Sequence, residues 1–455
     1  MAELENHTDL KRKIGLFPVT NIVIANMVGI GIFITSGLLL TDLNHPLIMV
    51  LIWLAGGLMA LFGALCYGEL GAAYPEAGGE YVFLSRLFHP ALGFLSGWVS
   101  FIVGFSAPIA AASIGFSEYF IRAVPNVLAW GEVIGISNPE LTKSIFSVFI
   151  VLLFTTIHLR GLEFGVMVQN GLTIYKVLLI AGLIFIGFVF GKGDISHLMT
   201  ESHYTFDFKG WKTIGLAFLW ISFSYSGWNA STYIGSEIKN PQKNLPYSLM
   251  LGTGIVILLY LGLNILFVYA IPPAEMKGVI SVGGLAVAKL FGKSWEQVFS
   301  FLVALALFSS ISAYIILGPR IYFAMAKNGH FFSFASKVNS KTGVPARSII
   351  LQSAIAIVMV LTSTFDQILT FMGFSLGIFP ILAVFGLFKL RKLNISKYKM
   401  PGFPYIPGIY LFVATTILIL GFFERPVESS IAIGTVLLGI PAYLVFAANK
   451  NKTEC

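Results

Sequence analysis

Charge is what this chain has least of. Asp, Glu, Lys and Arg make up 11% of its 455 residues, and 56% are hydrophobic. Soluble domains carry roughly 25% charged residues, so water is excluded as the solvent for most of the chain. Cysteine is nearly absent. Cys66 lies inside an apolar run and Cys455 is the last residue, so no disulfide framework is expected. HExxH and Cys/His clusters with metal spacing are missing, which argues against a membrane enzyme and against a metal or other cofactor. The net charge is +8. Its Lys and Arg are scattered between apolar runs and form no basic domain, so no nucleic-acid partner is expected.

What is there is a series of long apolar runs. Lipid offers no hydrogen bonds to peptide groups, so a chain that crosses it does so as helices or as a closed barrel. The runs are continuous rather than alternating, which selects helices. Twelve segments are expected to span, near 18–40, 47–66, 92–121, 144–159, 165–190, 213–235, 247–271, 297–325, 347–362, 367–388, 406–423 and 430–448. The predicted fold class is an all-α membrane protein. Nineteen of the 29 Lys and Arg fall in alternate loops on one side, nine on the other, and Lys176 inside a span. The positive-inside rule makes the first side cytoplasmic, with both termini there. A multi-pass protein of the cell membrane is the expected setting. The first 13 residues are polar and no cleavage site follows the first run, so that run reads as a retained span.

Two spans are interrupted. The first reads Asn26-Met27-Val28-Gly29-Ile30-Gly31-Ile32-Phe33, and two glycines so close each weaken a helix by about 1 kcal/mol. The sixth reads Ser222-Phe223-Ser224-Tyr225-Ser226-Gly227-Trp228-Asn229, with polar groups able to satisfy an unwound backbone. Gly227 lies five spans on from Gly31, in the corresponding position. Matched interruptions point to inverted repeats with a binding site between them. An unwound helix presents N–H groups on one stub and carbonyls on the other, which suit a carboxylate and an ammonium. Close helix packing is the competing reading for a single GxG.

These residues resemble the amino acid–polyamine–organocation transporter superfamily over nearly the whole chain. Gly29-Ile30-Gly31-Ile32-Phe33 resembles its GxGIF motif. Tyr67-Gly68-Glu69-Leu70 with Pro75-Glu76-Ala77-Gly78-Gly79-Glu80-Tyr81 resembles its YxEL…PxxGGxY segment. Phe223 to Trp228 with Glu237 and Asn240-Pro241 resembles its span-six signature, and Arg320 with Ala326-Lys327-Asn328-Gly329 the end of span eight. The Gly227-Trp228 pair looks closest to bacterial relatives of the L-type transporters.

The resemblance implies a LeuT-like fold, with repeats at 18–190 and 213–388, two peripheral spans at 406–448, and short ends at 1–17 and 449–455. It implies a secondary transporter of amino acids working by alternating access. The backbone at Ile30, Gly31 and Ile32 would hold the carboxylate. Carbonyls near Met27, Phe223, Ser224 and Ser226 would hold the amino group, beside Gly29 and Gly227, and Phe223 would close over the substrate. The two broken segments contain no carboxylate, which favours small neutral amino acids over polyamines or other organic cations. A channel or a non-transporting receptor remains as an alternative. Some proton-linked members carry an acid where Asn229 stands, so protons as a coupling partner are in doubt.

Lys176 has two readings. It is a snorkelling lysine near a span end, or, as the resemblance implies, an ammonium standing where relatives bind sodium. There it would meet carbonyls near Gly29 and hydroxyls such as Ser309, Ser310 or Ser312. Glu69, Glu237 and Arg320 sit at span ends and suit either an inner-gate network or solvated charges. Neither cysteine is placed to bind a partner subunit, so the chain is expected to act alone.

Overall fold

The computed structural model describes residues 10–128, 138–200, 204–279, 281–362 and 365–453. The ends of the expected terminal segments, 1–9 and 454–455 with Cys455, lie outside the described residues. In chain order the main helices are α1 (Leu16–Met27), α2 (Gly31–Leu43), α3 (Pro46–Ala73), α4 (Glu80–Leu87), α5 (Pro90–Val99), α6 (Ser106–Ala123), α7 (Pro139–Leu159) and α8 (Leu162–Phe190). They continue with α9 (Phe208–Ser224), α10 (Pro241–Ala270), α11 (Val282–Phe291), α12 (Ser294–Lys327), α13 (Ala346–Thr362), α14 (Phe365–Leu393), α15 (Tyr405–Glu424) and α16 (Pro426–Thr453). No strand occurs among the described residues; there are two isolated bridges, Ile14 to Ile238 and Ala77 to Ile234.

Each of the twelve apolar segments carries a helix. Among the described residues, nine helices are long and apolar enough to cross a membrane, counting Leu16–Leu43 as one. Helix starts lie slightly outside the apolar segments because of their caps. Pro46, Pro90 and Pro139 occupy first-turn positions, where a missing N–H costs nothing. The side chain of Asn138 accepts from the Glu140 N–H at 2.9 Å, and Asp207 from Gly210 at 2.7 Å. Asn44, with φ 49°, ends α2 in the left-handed conformation.

The sixth segment, expected at 213–235 with an interruption at Ser222–Asn229, ends its α-helix at Ser224. Two short 3₁₀ turns, Ala230–Tyr233 and Gly235–Glu237, follow after an irregular stretch. Gly227, with φ +98°, turns the chain out of helical geometry there.

Burial orders the helices. In Leu16–Leu43, 89% of the most apolar window is buried, against 22% for Tyr405–Glu424 and 11% for Ser429–Ala447. The broken first span is therefore central and the last two are peripheral. α1 packs against α10, α8 and α12, and α9 against α2, α3 and α15.

Candidate binding site at two broken helices

The first break is set by Val28, whose ψ of 88° leaves helical geometry after Met27. Gly29 N–H closes a tight bond to Met27 O at 2.9 Å, and the next is Phe33 N–H to Ile30 O at 3.0 Å. The N–H groups of Ile30, Gly31 and Ile32 therefore have no intrahelical acceptor. In the sixth span, α9 ends at Ser224. Two carbonyl ends, of α1 and α9, thus meet the N–H end of α2. All three carry partial charge from their helix dipoles.

Side chains from elsewhere fasten this junction. The Tyr260 hydroxyl lies 2.8 Å from Met27 O and 3.0 Å from Ser224 O. Tyr314 donates to Asn26 O at 3.1 Å. The two spans also touch directly. Thr35 Oγ1 and Ser224 Oγ are 3.0 Å apart, and a Cβ on Gly31 would lie 2.7 Å from Ser224 Oγ.

Lys176 points at the first break and is 1% exposed. Its ammonium donates to Val28 O and, at 2.8 Å, to Ser310 Oγ. Ser310 in turn donates to Val28 O at 2.8 Å. Ser312 is turned to His158 Nε2 at 2.8 Å, and Ser309 Oγ is buried with no partner among the described residues. Of the three serines considered, one meets Lys176.

A cavity of about 160 Å³ adjoins the junction. Phe223, Ser226 and Gly227 line it, with Asn26 from the first span and Tyr314. Met27, Gly29, Ile30, Gly31, Ile32 and Ser224 are not in its wall. Span three contributes a π-type turn at Ser100–Gly104, closed by Phe105 N–H to Ser100 O at 3.2 Å. Such turns recur at functional sites.

The face of the N-terminal segment is shut. Glu237 and Arg320 form a two-armed pair at 3.1 and 3.2 Å, with side chains 0% and 2% exposed. The Glu237 carbonyl accepts from the N–H groups of Lys13 and Ile14 at 2.9 Å, and Lys239 N–H returns a bond to Ile14 O at 2.8 Å. Glu69 belongs elsewhere. It pairs with Arg391 and accepts from Met400 N–H at 2.8 Å, joining α3 to α14.

Glu80 was not singled out from sequence. It is 4% exposed, lines the cavity, and accepts from Tyr67 at 3.0 Å and from Asn229 Nδ2 at 2.5 Å. Burial pushes its carboxyl above the usual range, against hydrogen bonds from Tyr233, Tyr67 and Asn229. One signal was in view. Glu80 follows Gly78 and Gly79, whose φ of +128° and +55° bend the chain back towards span six.

A bundle of apolar helices with two broken members, a cavity beside the breaks and a buried ion pair near the N-terminal segment has the build of a membrane carrier. The family model described as "Amino acid permease" matches residues 14–446. The chain belongs to that family. It is 28% identical to the large neutral amino acids transporter small subunit 2 of Mus musculus, over 98% of this chain and 83% of the relative. It is 27% identical to the Asc-type amino acid transporter 1 of Mus musculus, over 98% and 83%. It is 29% identical to the serine/threonine exchanger SteT of Bacillus subtilis (strain 168), over 98% and 100%.

Proposed function

We propose that this chain is a sodium-independent exchanger of small neutral amino acids, working by alternating access. The observation that carries the reading is the junction of two helix carbonyl ends with one N–H end beside a cavity. A zwitterion needs both kinds of group, and the cavity gives its side chain room. The named activities of the three relatives, all amino acid transporters or exchangers, point the same way.

In this reading Ile30, Gly31 and Ile32 hold the carboxylate. Carbonyls of Met27, Phe223, Ser224 and Ser226 hold the amino group, with Gly29 and Gly227 giving the backbone room to unwind. Phe223 covers the substrate. Residues 18–190 and 213–388 form the inverted repeats within twelve spans. Both termini lie on the cytoplasmic side of the cell membrane. In this reading the chain works alone; Cys66 is buried inside the bundle and out of reach of a disulfide to a partner. The test is uptake by the purified chain in proteoliposomes, using labelled amino acids with and without internal counter-substrate. Choline replaces sodium, and a proton gradient is imposed or omitted. Saturable uptake stimulated by internal amino acid in choline is expected. Uptake that needs sodium, or flux that never saturates, would sink the reading.

Lys176 supplies the charge that makes sodium unnecessary. Its ammonium ties the first break to span eight through Val28 and Ser310. Hydrogen bonds to a charged group are worth about 1.5–3 kcal/mol. Lys176→Ala should therefore cut initial uptake at least about tenfold in choline buffer. Uptake by the variant at the wild-type rate would remove Lys176 from the mechanism.

A further inference from the structure

A side chain of α10 touches both broken helices. Tyr260 and Asn264 lie one turn apart on one face of that helix. Tyr260 is 0% exposed, and its ring packs against Trp53 and Tyr225 with centroids 5.4 and 4.9 Å away. Packing on two sides fixes where the hydroxyl sits. It lies 2.8 Å from Met27 O and 3.0 Å from Ser224 O, the ends of α1 and α9. Asn264 takes up the remaining stub. It accepts from Ser36 of α2 and donates to Tyr260 O at 2.8 Å.

The two carbonyls differ in what else they have. Met27 O also accepts from Gly29 N–H at 2.9 Å, in a tight turn. Among the described residues no amide bonds Ser224 O, because α9 stops there. Its recorded donor is the Tyr260 hydroxyl. A hydroxyl has one proton, so the two carbonyls share it. An ammonium brings three N–H groups and serves both at once. Leaving a buried acceptor without a donor is costly. The junction therefore closes best around an ammonium, less well on Tyr260 alone, and worst with neither.

We propose that Tyr260 is the substitute donor that lets the unloaded carrier close and return, and so sets how far exchange outruns net transport. The proposal rests on the transporter reading above, which puts a substrate ammonium at these carbonyls. Tyr260 acts through the helix ends, so it is a positioning residue. When substrate leaves, its hydroxyl stays with the chain. One shared proton makes the unloaded return slower than the loaded crossing. Removing that proton slows the return further and leaves the loaded crossing its ammonium.

The test uses the full chain in proteoliposomes and the labelled amino acid that wild type carries fastest. Initial uptake is measured into vesicles holding the same amino acid unlabelled, which reads exchange, and into vesicles holding none, which reads net transport. Wild type should show both, with exchange faster. Net uptake that is absent, or as fast as exchange, overturns the proposal without any variant. Tyr260→Phe keeps the ring and removes the hydroxyl. It should slow net uptake about tenfold while exchange stays within about twofold, so their ratio rises about fivefold or more. Tyr269→Phe is the control on the same helix, where the lost bond is to Gly191 O at 3.0 Å. Its ratio should equal that of wild type. A Tyr260→Phe ratio that does not change, whether both rates hold or both fall together, overturns the proposal. If Tyr260→Phe is not monodisperse, Tyr260→Met, which also lacks the hydroxyl, is judged by the same ratio. A chain that carries no amino acid into either kind of vesicle defeats the transporter reading instead, so the two failures are distinguishable.

Discussion

Gly227→Ala should abolish transport, lowering initial uptake about a hundredfold or more while the protein still inserts and remains monodisperse. Gly227 adopts φ +98°, where an L-residue pays roughly 1–2 kcal/mol. Space is the larger problem. A Cβ there would lie 2.4 Å from Asn26 Nδ2 and 2.9 Å from the Asn26 carbonyl carbon. The second of these is backbone, so relief means moving the first break away from the second. That is the contact on which the proposed site depends. The side effect on stability should be modest, because the rest of the bundle does not pass through this point. Gly254→Ala in α10 is the matched control, since nothing lies within 4 Å of its would-be Cβ. Removing a helix glycine there should leave uptake within about twofold and raise thermal stability slightly. Parallel uptake assays and gel filtration on the two variants decide the matter. Normal transport by Gly227→Ala would mean that the two breaks do not need their observed approach.

The helices and both interruptions were legible in the sequence because each is a local property. An apolar run long enough to span, a proline in the first turn, two glycines one residue apart: all are read within a few residues. The extent of the second interruption was less legible. Residues 230–237 mix Ala230, Tyr233 and Ile234 with polar residues and glycine, and their bonds go to α12, to the N-terminal segment and to the stretch before α4. Such competition is tertiary. The same limit applies to side-chain partners. Lys176 could be recognised as a costly charge, but Val28 and Ser310 lie 148 and 134 positions away. Asn229 was read as the loss of an acid and as a polar group of the unwound stretch. The carboxyl pressed against it, Glu80, is 149 positions away and entered the sequence reading merely as part of a motif. Glu69, Glu237 and Arg320 looked equivalent as charges at span ends. Packing divides them, giving Glu237 to Arg320 and Glu69 to Arg391.

Arg320→Ala should open the shut face and cost about 3–5 kcal/mol of stability, the usual effect of stranding one buried charge. Glu237 would be left with no cation in a site where its side chain is 0% exposed. The backbone bonds it anchors should loosen together. Hydrogen exchange should quicken at the amides of Lys13, Ile14 and Lys239, and uptake should fall at least about tenfold. Arg320→Lys should not restore either property, because one ammonium cannot reproduce a two-armed contact. The informative variant removes both charges. Replacing a buried pair by apolar side chains is often neutral or stabilising, since both members no longer pay for leaving water. Glu237→Met with Arg320→Met should thus be as stable as wild type or more so, with the amides still protected. Yet it should transport slowly. Opening this face would exchange the ion pair for hydration of both charges, so the cost of separating them is offset by water. An apolar pair would favour the closed face alone. A double variant that is stable and transports at the wild-type rate would show that the pair serves folding and has no part in the cycle.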